Sequence, residues 1–406
     1  MTSLGSDPAR LHERWDDPRN ASGLTWLELL TGWTTGIDER APDIDLVDPL
    51  PDPVAALEAA LLRLMDRPPV YVAFSGGRDS SVLLAAATRV ARREGLPDPV
   101  PLTQRFPGVP EADETAWQER VIGHLGLTEW ELFESGAELD LVGEVAAGVL
   151  RAHGLRYPPA SHAHIPMYEH ASGGTLVMGD GGDQVFGGWR RVAVGEVLHR
   201  RRRPRPRDLA VIANAAAPRP LRVIAETRRS PTPAPWLADW VLREWAHHQG
   251  EARAAEPATW PAFLRWTRRE RPTVLMLETW ELLARERGTA HATPFWDPVF
   301  LRSLGAWGGR FGRGSRTRLM RGLFADLLPD DVLARASKAR FSRAYFDVPT
   351  RRFAEAWDGE IPGADAVDRD QLRMHWLSGN PWTTSATLLQ AAWLQQNTRK
   401  QSISSG

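Results

Sequence analysis

Two short stretches of this sequence gather the residue types that handle phosphate and divalent cations. The first, "VAFSGGRDSSVLL", leads from an apolar β-rich run, Val70 to Phe74, through Ser75, Gly76 and Gly77 into a segment of helical periodicity. A strand that opens through Gly-Gly into a helix aims backbone N–H groups and the positive end of the helix dipole at one small volume, which suits an anion. Glycine is needed there because a Cβ would hold the anion away from the backbone. Ser75, Ser80 and Ser81 add hydroxyl donors around the rim. Asp79 is the informative residue. A carboxylate beside a phosphate cradle repels the phosphate unless a cation lies between them, and Mg²⁺ bridging carboxylate and polyphosphate oxygens resolves that conflict. The turn has neither the G-K-[ST] of a Walker A loop nor the glycine spacing of a dinucleotide fingerprint. Taken alone, it could also be a structural elbow, with the phosphate reading the stronger.

The second stretch, "MGDGGDQVFGGW", repeats the strand, glycine turn and helix, now with Asp180 and Asp183. In a parallel sheet both turns emerge at the carboxyl ends of strands, where ligands bind. Asp79 and Asp183 can then hold Mg²⁺ on one pyrophosphate.

The elements that must position these turns follow from hydrophobic period. A helix over 54–67 is stopped by Pro68 and Pro69. Strand 70–74, helix 79–94, strand 100–106, helix 111–126 and a further strand within 127–134 follow in alternation. Such alternation over 67–200 predicts an α/β fold, a doubly wound parallel sheet, with a largely helical C-terminal half. Residues 1–53 read as a polar, extended lead-in with no glutaminase domain, 54–200 as the α/β core, and 201–406 as a helical portion completing the site. The Arg/Pro segment 199–208 reads as a solvated loop or linker.

Composition narrows the function classes. Lys+Arg (50) and Asp+Glu (51) leave a net charge of -1 in 406 residues, which gives no push toward nucleic acid or membrane. The absence of cysteine removes disulfides, thiolate nucleophiles and thiol-based sulfur transfer. No apolar run reaches about 18 residues and the N-terminus lacks a signal-peptide core, so a soluble, cytoplasmic protein is expected. The 18 tryptophans read as packing residues. Lys338 and Lys400 are the only lysines, so 48 of the 50 basic residues are arginine.

The motifs carry a resemblance. SGGRDSS is similar to the S-G-G-x-D-S PP-loop of ATP pyrophosphatases, and GDGGDQVFGGW to the G-E-G-x-D-E-x-F-G-G-Y segment of asparagine synthetases. ATPFWDPVF (292–300) resembles that family's R-x-P-F-L-D segment, and RLMRGLFADLLPDDVLARASKARF its late L-R-x-A, L-P and R-x-K-x-F stretch. Four motifs in the family's order resemble the synthetase half of the asparagine synthetase family, whose relatives include β-lactam synthetases and lasso-peptide macrolactam cyclases. The resemblance implies an adenine nucleotide alpha hydrolase-like fold in which ATP adenylates a substrate carboxylate. An amine then attacks the acyl adenylate, giving an amide, AMP and pyrophosphate. By motif position Ser75, Gly76, Gly77, Asp79 and Ser80 grip pyrophosphate, Gly179 lies near the nucleotide, and Asp79 and Asp183 hold Mg²⁺. Lys338 falls on the R-x-K lysine, which stabilises charge on the adenylate and the tetrahedral intermediate. A compact, flexible ammonium suits that task.

The sequence also departs from the pattern. Without cysteine, a thiolate glutaminase cannot act in this chain, so the amine must be free ammonia, ammonia from a partner subunit, or an amino group on the substrate. Asp180 and Gln184 stand where the family has two glutamates. Asp180 is either the base for the amine or a helix cap. Trp296 replaces a leucine and suggests a bulkier pocket wall. The expected partners are a carboxylate-bearing small molecule or peptide with an amine nucleophile, and a protein supplying ammonia or substrate. No nucleic acid and no membrane are expected. Lactam, macrolactam or peptide-type amide formation leads; ammonia-dependent amidation of a small acid and a catalytically degenerate scaffold are the alternatives. His162 and His164 lack a third ligand for a metal, Glu111, Asp113 and Glu114 suit a helix N-terminus, and "GGRFGRG" (308–314) is either a lid or a connection.

Overall fold

The computed structural model of the chain describes residues 4, 7–44, 51–107, 113–198, 203–230, 234–336 and 344–404. Five parallel strands form one sheet: β1 (Val70–Ala73), β2 (Val100–Arg105), β3 (Glu131–Glu134), β4 (Thr175–Val177) and β5 (Ala290–Ala292), in the spatial order β3-β2-β1-β4-β5. Register follows from pairs such as Val72 with Pro101, Val72 with Val177, and Leu176 with His291. The order reverses direction between β1 and β4, and the carboxyl ends of those two strands define the switch point at which doubly wound sheets bind ligands.

Helices cover both faces because the strands are apolar on both. Val70, Val72 and Phe74 point into the larger core, with helices Pro53–Leu64, Arg78–Glu94, Pro298–Gly308 and Arg316–Phe324. Tyr71 and Ala73, one residue out of phase, face a smaller core built on Ile165, Tyr168, Leu176 and Leu283. The helix Arg78–Glu94 buries Val82 to Ala87 without a break and stops at Gly95, which is left-handed at φ 68°.

Four features differ from the sequence reading. Residues 7–44 are folded rather than extended: Leu11, Trp15, Trp26, Leu27, Leu29 and Leu30 join a separate core with the C-terminal helix Ala386–Ser404. Its helix Trp26–Thr31 has a capping box, Thr25 with Glu28. Of the Arg/Pro segment, residues 199–202 lie outside the described residues, and from Pro206 it is a helix, Pro206–Ala216, since Pro206 sits in its first turn where its missing N–H costs nothing. There Asp208 accepts the Arg205 N–H at 2.7 Å. The helix expected over 111–126 runs Thr115–Leu125, with Asp113 capping Thr115 N at 3.0 Å. Finally, β5 is contributed by residues beyond 201, so the sheet draws on both compositional halves.

The tryptophans do pack the interior: Trp189, Trp236, Trp260 and Trp376 are among the largest fully buried side chains. Among the described residues no helix is long and apolar enough to cross a membrane.

Candidate active site

The first glycine turn is shaped from within. Gly76 is left-handed at φ 76°, and a Cβ on it would meet Gln118 Cγ at 3.0 Å. The Ser80 hydroxyl donates to Gly77 O at 3.1 Å and lies 3.2 Å from the Ser75 hydroxyl, while Ser75 N donates to it at 3.3 Å. Ser75 Oγ in turn accepts the Gly77 N–H at 3.3 Å. Ser75, Gly76, Gly77 and Ser80 are thus one wired loop at the end of β1. Ser81 is not on its rim. It is wholly buried, because its position on the helix turns it inward.

The second turn closes on the first through missing side chains. A Cβ on Gly179 would lie 3.2 Å from Ser80 N, and one on Gly182 only 2.3 Å from Asp79 Cγ. Gly181, left-handed at φ 95°, rests on the indole of Trp296. Trp296, expected as a bulkier pocket wall, is buried beneath this turn. Asp297 beside it caps helix Pro298–Gly308 by accepting from Val299 N at 2.9 Å and Phe300 N at 3.0 Å.

Asp79 and Asp183 are brought together, and a guanidinium lies between them. Arg316 Nη2 donates to Asp79 Oδ2 at 2.5 Å, and Arg316 Nη1 donates to Asp183 Oδ1. Asp79 Oδ1 and Arg316 Nε are buried without a hydrogen-bond partner among the described residues. Burial pushes the Asp79 carboxyl above its ordinary range, against the pull of Arg316. Arg316 and the nearby Arg78 set two positive charges against the two carboxylates, so the mismatch of the cluster lies in the unpartnered Asp79 Oδ1 rather than in net charge. Two carboxylates an arginine's width apart, one with an orphaned oxygen, form a donor set that fits Mg²⁺.

Two further arginines converge here. Arg78, the variable residue of SGGRDSS, donates to Thr317 Oγ1 at 3.1 Å, and its pKa is pushed down by burial and then by Arg316. The buried Arg335 donates to Gly76 O at 2.7 Å, pairs with Glu114 and stacks over Trp117. Arg78, Arg316 and Arg335 were missed as site residues in the sequence. The one signal available was that Arg78 and Arg335 lie inside the motifs themselves.

Asp180 is half-buried after β4, within electrostatic reach of Tyr168, whose hydroxyl is held protonated first by burial and then by that charge. Around Tyr168, His164 and His291 are held neutral by burial, with pKa values of about 4 and about 3. His162 faces the backbone carbonyls of Pro159 and Leu139, both at 3.2 Å, and no cluster of three or more metal-ligating side chains occurs among the described residues. Segment 308–314 is a tied connection: Trp260 N donates to Arg310 O at 2.9 Å and Arg313 Nε to Trp307 O at 2.8 Å. Lys338 and Glu111 lie outside the described residues.

A doubly wound parallel sheet with a glycine-serine phosphate turn at its switch point defines a nucleotide-binding α/β protein of PP-loop type. The asparagine synthase family model matches residues 55–395, and the chain belongs to that family. It is therefore an ATP-binding carbon–nitrogen ligase of the amide-forming synthetase type. No curated protein matches the chain.

Proposed function

We propose that this protein adenylates a substrate carboxylate and passes the acyl group to an amine carried by the substrate itself. The products are a lactam, macrolactam or peptide-type amide, AMP and pyrophosphate. The observation that carries this reading is the convergence of Asp79 and Asp183 in front of the SGG turn, with Arg78, Arg316 and Arg335 around it. A site built for a metal-bound polyphosphate with a grip on its leaving end favours cleavage between the α- and β-phosphates, because the pyrophosphate is what the turn retains.

Asp79 and Asp183 would hold Mg²⁺, which when bound neutralises polyphosphate charge. The wired turn of Ser75, Gly76, Gly77 and Ser80 orients the pyrophosphate, and Gly179, whose bare Cα lets the second turn close on Ser80, lies beside the nucleotide. Asp180 takes the proton from the attacking amine, since the neighbouring Tyr168 keeps its own. Lys338 follows the oxyanion of the tetrahedral intermediate. It stands three residues beyond Arg335, the residue that contacts Gly76, and this supports its assignment to the same site. With no cysteine in the chain, an amine already on the substrate, or ammonia from a partner protein, replaces glutamine hydrolysis in cis.

The test is nucleotide analysis after incubation with ATP, Mg²⁺ and candidate peptide or amino-acid carboxylates. AMP and pyrophosphate are expected from the wild type and neither from Asp79→Ala. ADP and phosphate would overturn the reading.

A further inference from the structure

Arg316 holds both nucleotide-side carboxylates with separate nitrogens, Nη2 on Asp79 and Nη1 on Asp183. It therefore occupies the position between two oxygens that a divalent cation needs. The fit is incomplete. The guanidinium leaves Asp79 Oδ1 and its own Nε buried without partners among the described residues. Unmade hydrogen bonds of buried charged groups are costly, so the cluster gains when something else completes it.

The surroundings say what that is. Arg316 is the first residue of helix Arg316–Phe324, whose N-cap Ser315 makes no side-chain capping bond. Arg78 hydrogen-bonds the next residue, Thr317, and its guanidinium lies within electrostatic reach of that of Arg316. Adjacent like charges repel, and an incoming phosphate removes that repulsion by accepting from both forks. Arginine, unlike lysine, cannot relieve the strain by losing its proton.

We propose that Arg316 is an exchangeable clamp. In the nucleotide-free protein it holds Asp79 and Asp183 together in place of a cation; when metal-bound nucleotide enters, its guanidinium moves onto phosphate oxygens beside Arg78. The inference rests on the assignment of the two aspartates to the metal. Its consequence is an order of binding: the carboxylates are closed to the free cation and open to the cation that arrives with polyphosphate. The same motion gives the protein a guanidinium on the leaving pyrophosphate only while the metal is in place.

Mn²⁺, a paramagnetic stand-in for Mg²⁺, is titrated into the purified full chain and followed by electron paramagnetic resonance, with and without ATP. Arg316→Met is expected to bind Mn²⁺ without ATP about tenfold or more tighter than the wild type, and to bind Mn²⁺-ATP about tenfold or more weaker, the scale of one charge-assisted hydrogen bond. Arg316→Lys, which keeps the charge but can face only one carboxylate, is expected to lie between the two and serves if the Met variant does not fold. Unchanged or weaker Mn²⁺ binding in the absence of ATP, in whichever of these variants folds, overturns the clamp. Asp79→Asn separates the two ideas: if it binds Mn²⁺-ATP like the wild type, the metal assignment itself falls, whatever Arg316 does.

Discussion

Gly182 offers a way to displace one functional atom group while leaving the fold almost untouched. It is the first residue of helix Gly182–Gly187, and it is not among the glycines with positive φ, so alanine is conformationally allowed there. An added Cβ would stand 2.3 Å from Asp79 Cγ, 2.5 Å from Oδ1 and 2.7 Å from Oδ2. Carbon–carbon contact is comfortable from ~3.5 Å, so the carboxyl must retreat by about 1 Å. A shift of about 1 Å in a group that positions substrate is worth about a hundredfold in rate. The stability cost is at most of the same order, since a hundredfold in rate corresponds to about 2.7 kcal/mol. Alanine gains about 0.5–1 kcal/mol over glycine in a helix, against about 1.5–3 kcal/mol for a weakened charge-assisted bond to Arg316. Gly148→Ala is the control, because Gly148 lies in helix Glu144–His153 with nothing within 4 Å of its Cβ position. Thermal denaturation, pyrophosphate release and calorimetric ATP affinity with Mg²⁺ are measured on both. Gly182→Ala is expected to melt near the wild type, lose about two orders of magnitude in turnover and bind Mg²⁺-ATP weakly. Gly148→Ala should melt slightly higher with unchanged turnover. A folded Gly182→Ala protein that works at the wild-type rate refutes the placement of Asp79 at the reacting centre.

Two further perturbations test the frame around the site. Asp140 is wholly buried and accepts four hydrogen bonds, from Val142 N at 2.9 Å, Asp347 N at 3.0 Å, Thr350 N at 3.1 Å and Thr350 Oγ1 at 2.9 Å. Asp140→Ala should cost about 3 kcal/mol or more in denaturant unfolding, and Asp140→Asn should be little better, since its NH₂ would face N–H donors. Stability unchanged in Asp140→Ala would contradict the latch. Glu270, with Thr267 Oγ1 donating to it at 2.8 Å, is pushed by burial from its ordinary 4.5 up to about 7. Folding therefore takes up a proton between those two values, and stability falls as pH rises through that window and stays low above it. Glu270→Gln should be more stable than the wild type at pH ~8, by about 2–3 kcal/mol, and near parity at pH ~4. Equal stability differences at both pH values would reject the assignment.

Much of this architecture is written locally. β4 is buried on both faces and β1 is buried on one and partly buried on the other, so each reads as an apolar run leading into a glycine turn, and the helix Arg78–Glu94 carries its own period and its own stop at Gly95. That Asp79 and Asp183 come together was legible as well, because their turns leave the sheet at the carboxyl ends of two strands, β1 and β4, that pair with each other. What was not legible depends on distance along the chain. β5, Ala-His-Ala and only half-buried, has no strand signature and becomes a strand because β4 offers an edge. Arg316 lies 237 residues from Asp79, and one arginine among so many carries no mark of its partner. The residues 7–44 looked like an extended approach because their polar majority hides Leu11, Trp15 and Leu29, whose partners are at the far end of the chain.

The pairing of β5 with β4 bears on how the chain is made. About 110 residues separate the two strands, and closing a loop of that length costs about 4 kcal/mol of chain entropy before any contact is returned. During synthesis at about 5–20 residues per second, β4 waits roughly 6–22 s for its neighbour. Throughout that interval the edge of Thr175, Leu176 and Val177 is an open row of parallel-sheet donors and acceptors, flanked by apolar side chains. A nascent chain stopped before residue 290 accordingly carries that edge unpaired, and helix Arg271–Glu286 is the element that delivers the last strand.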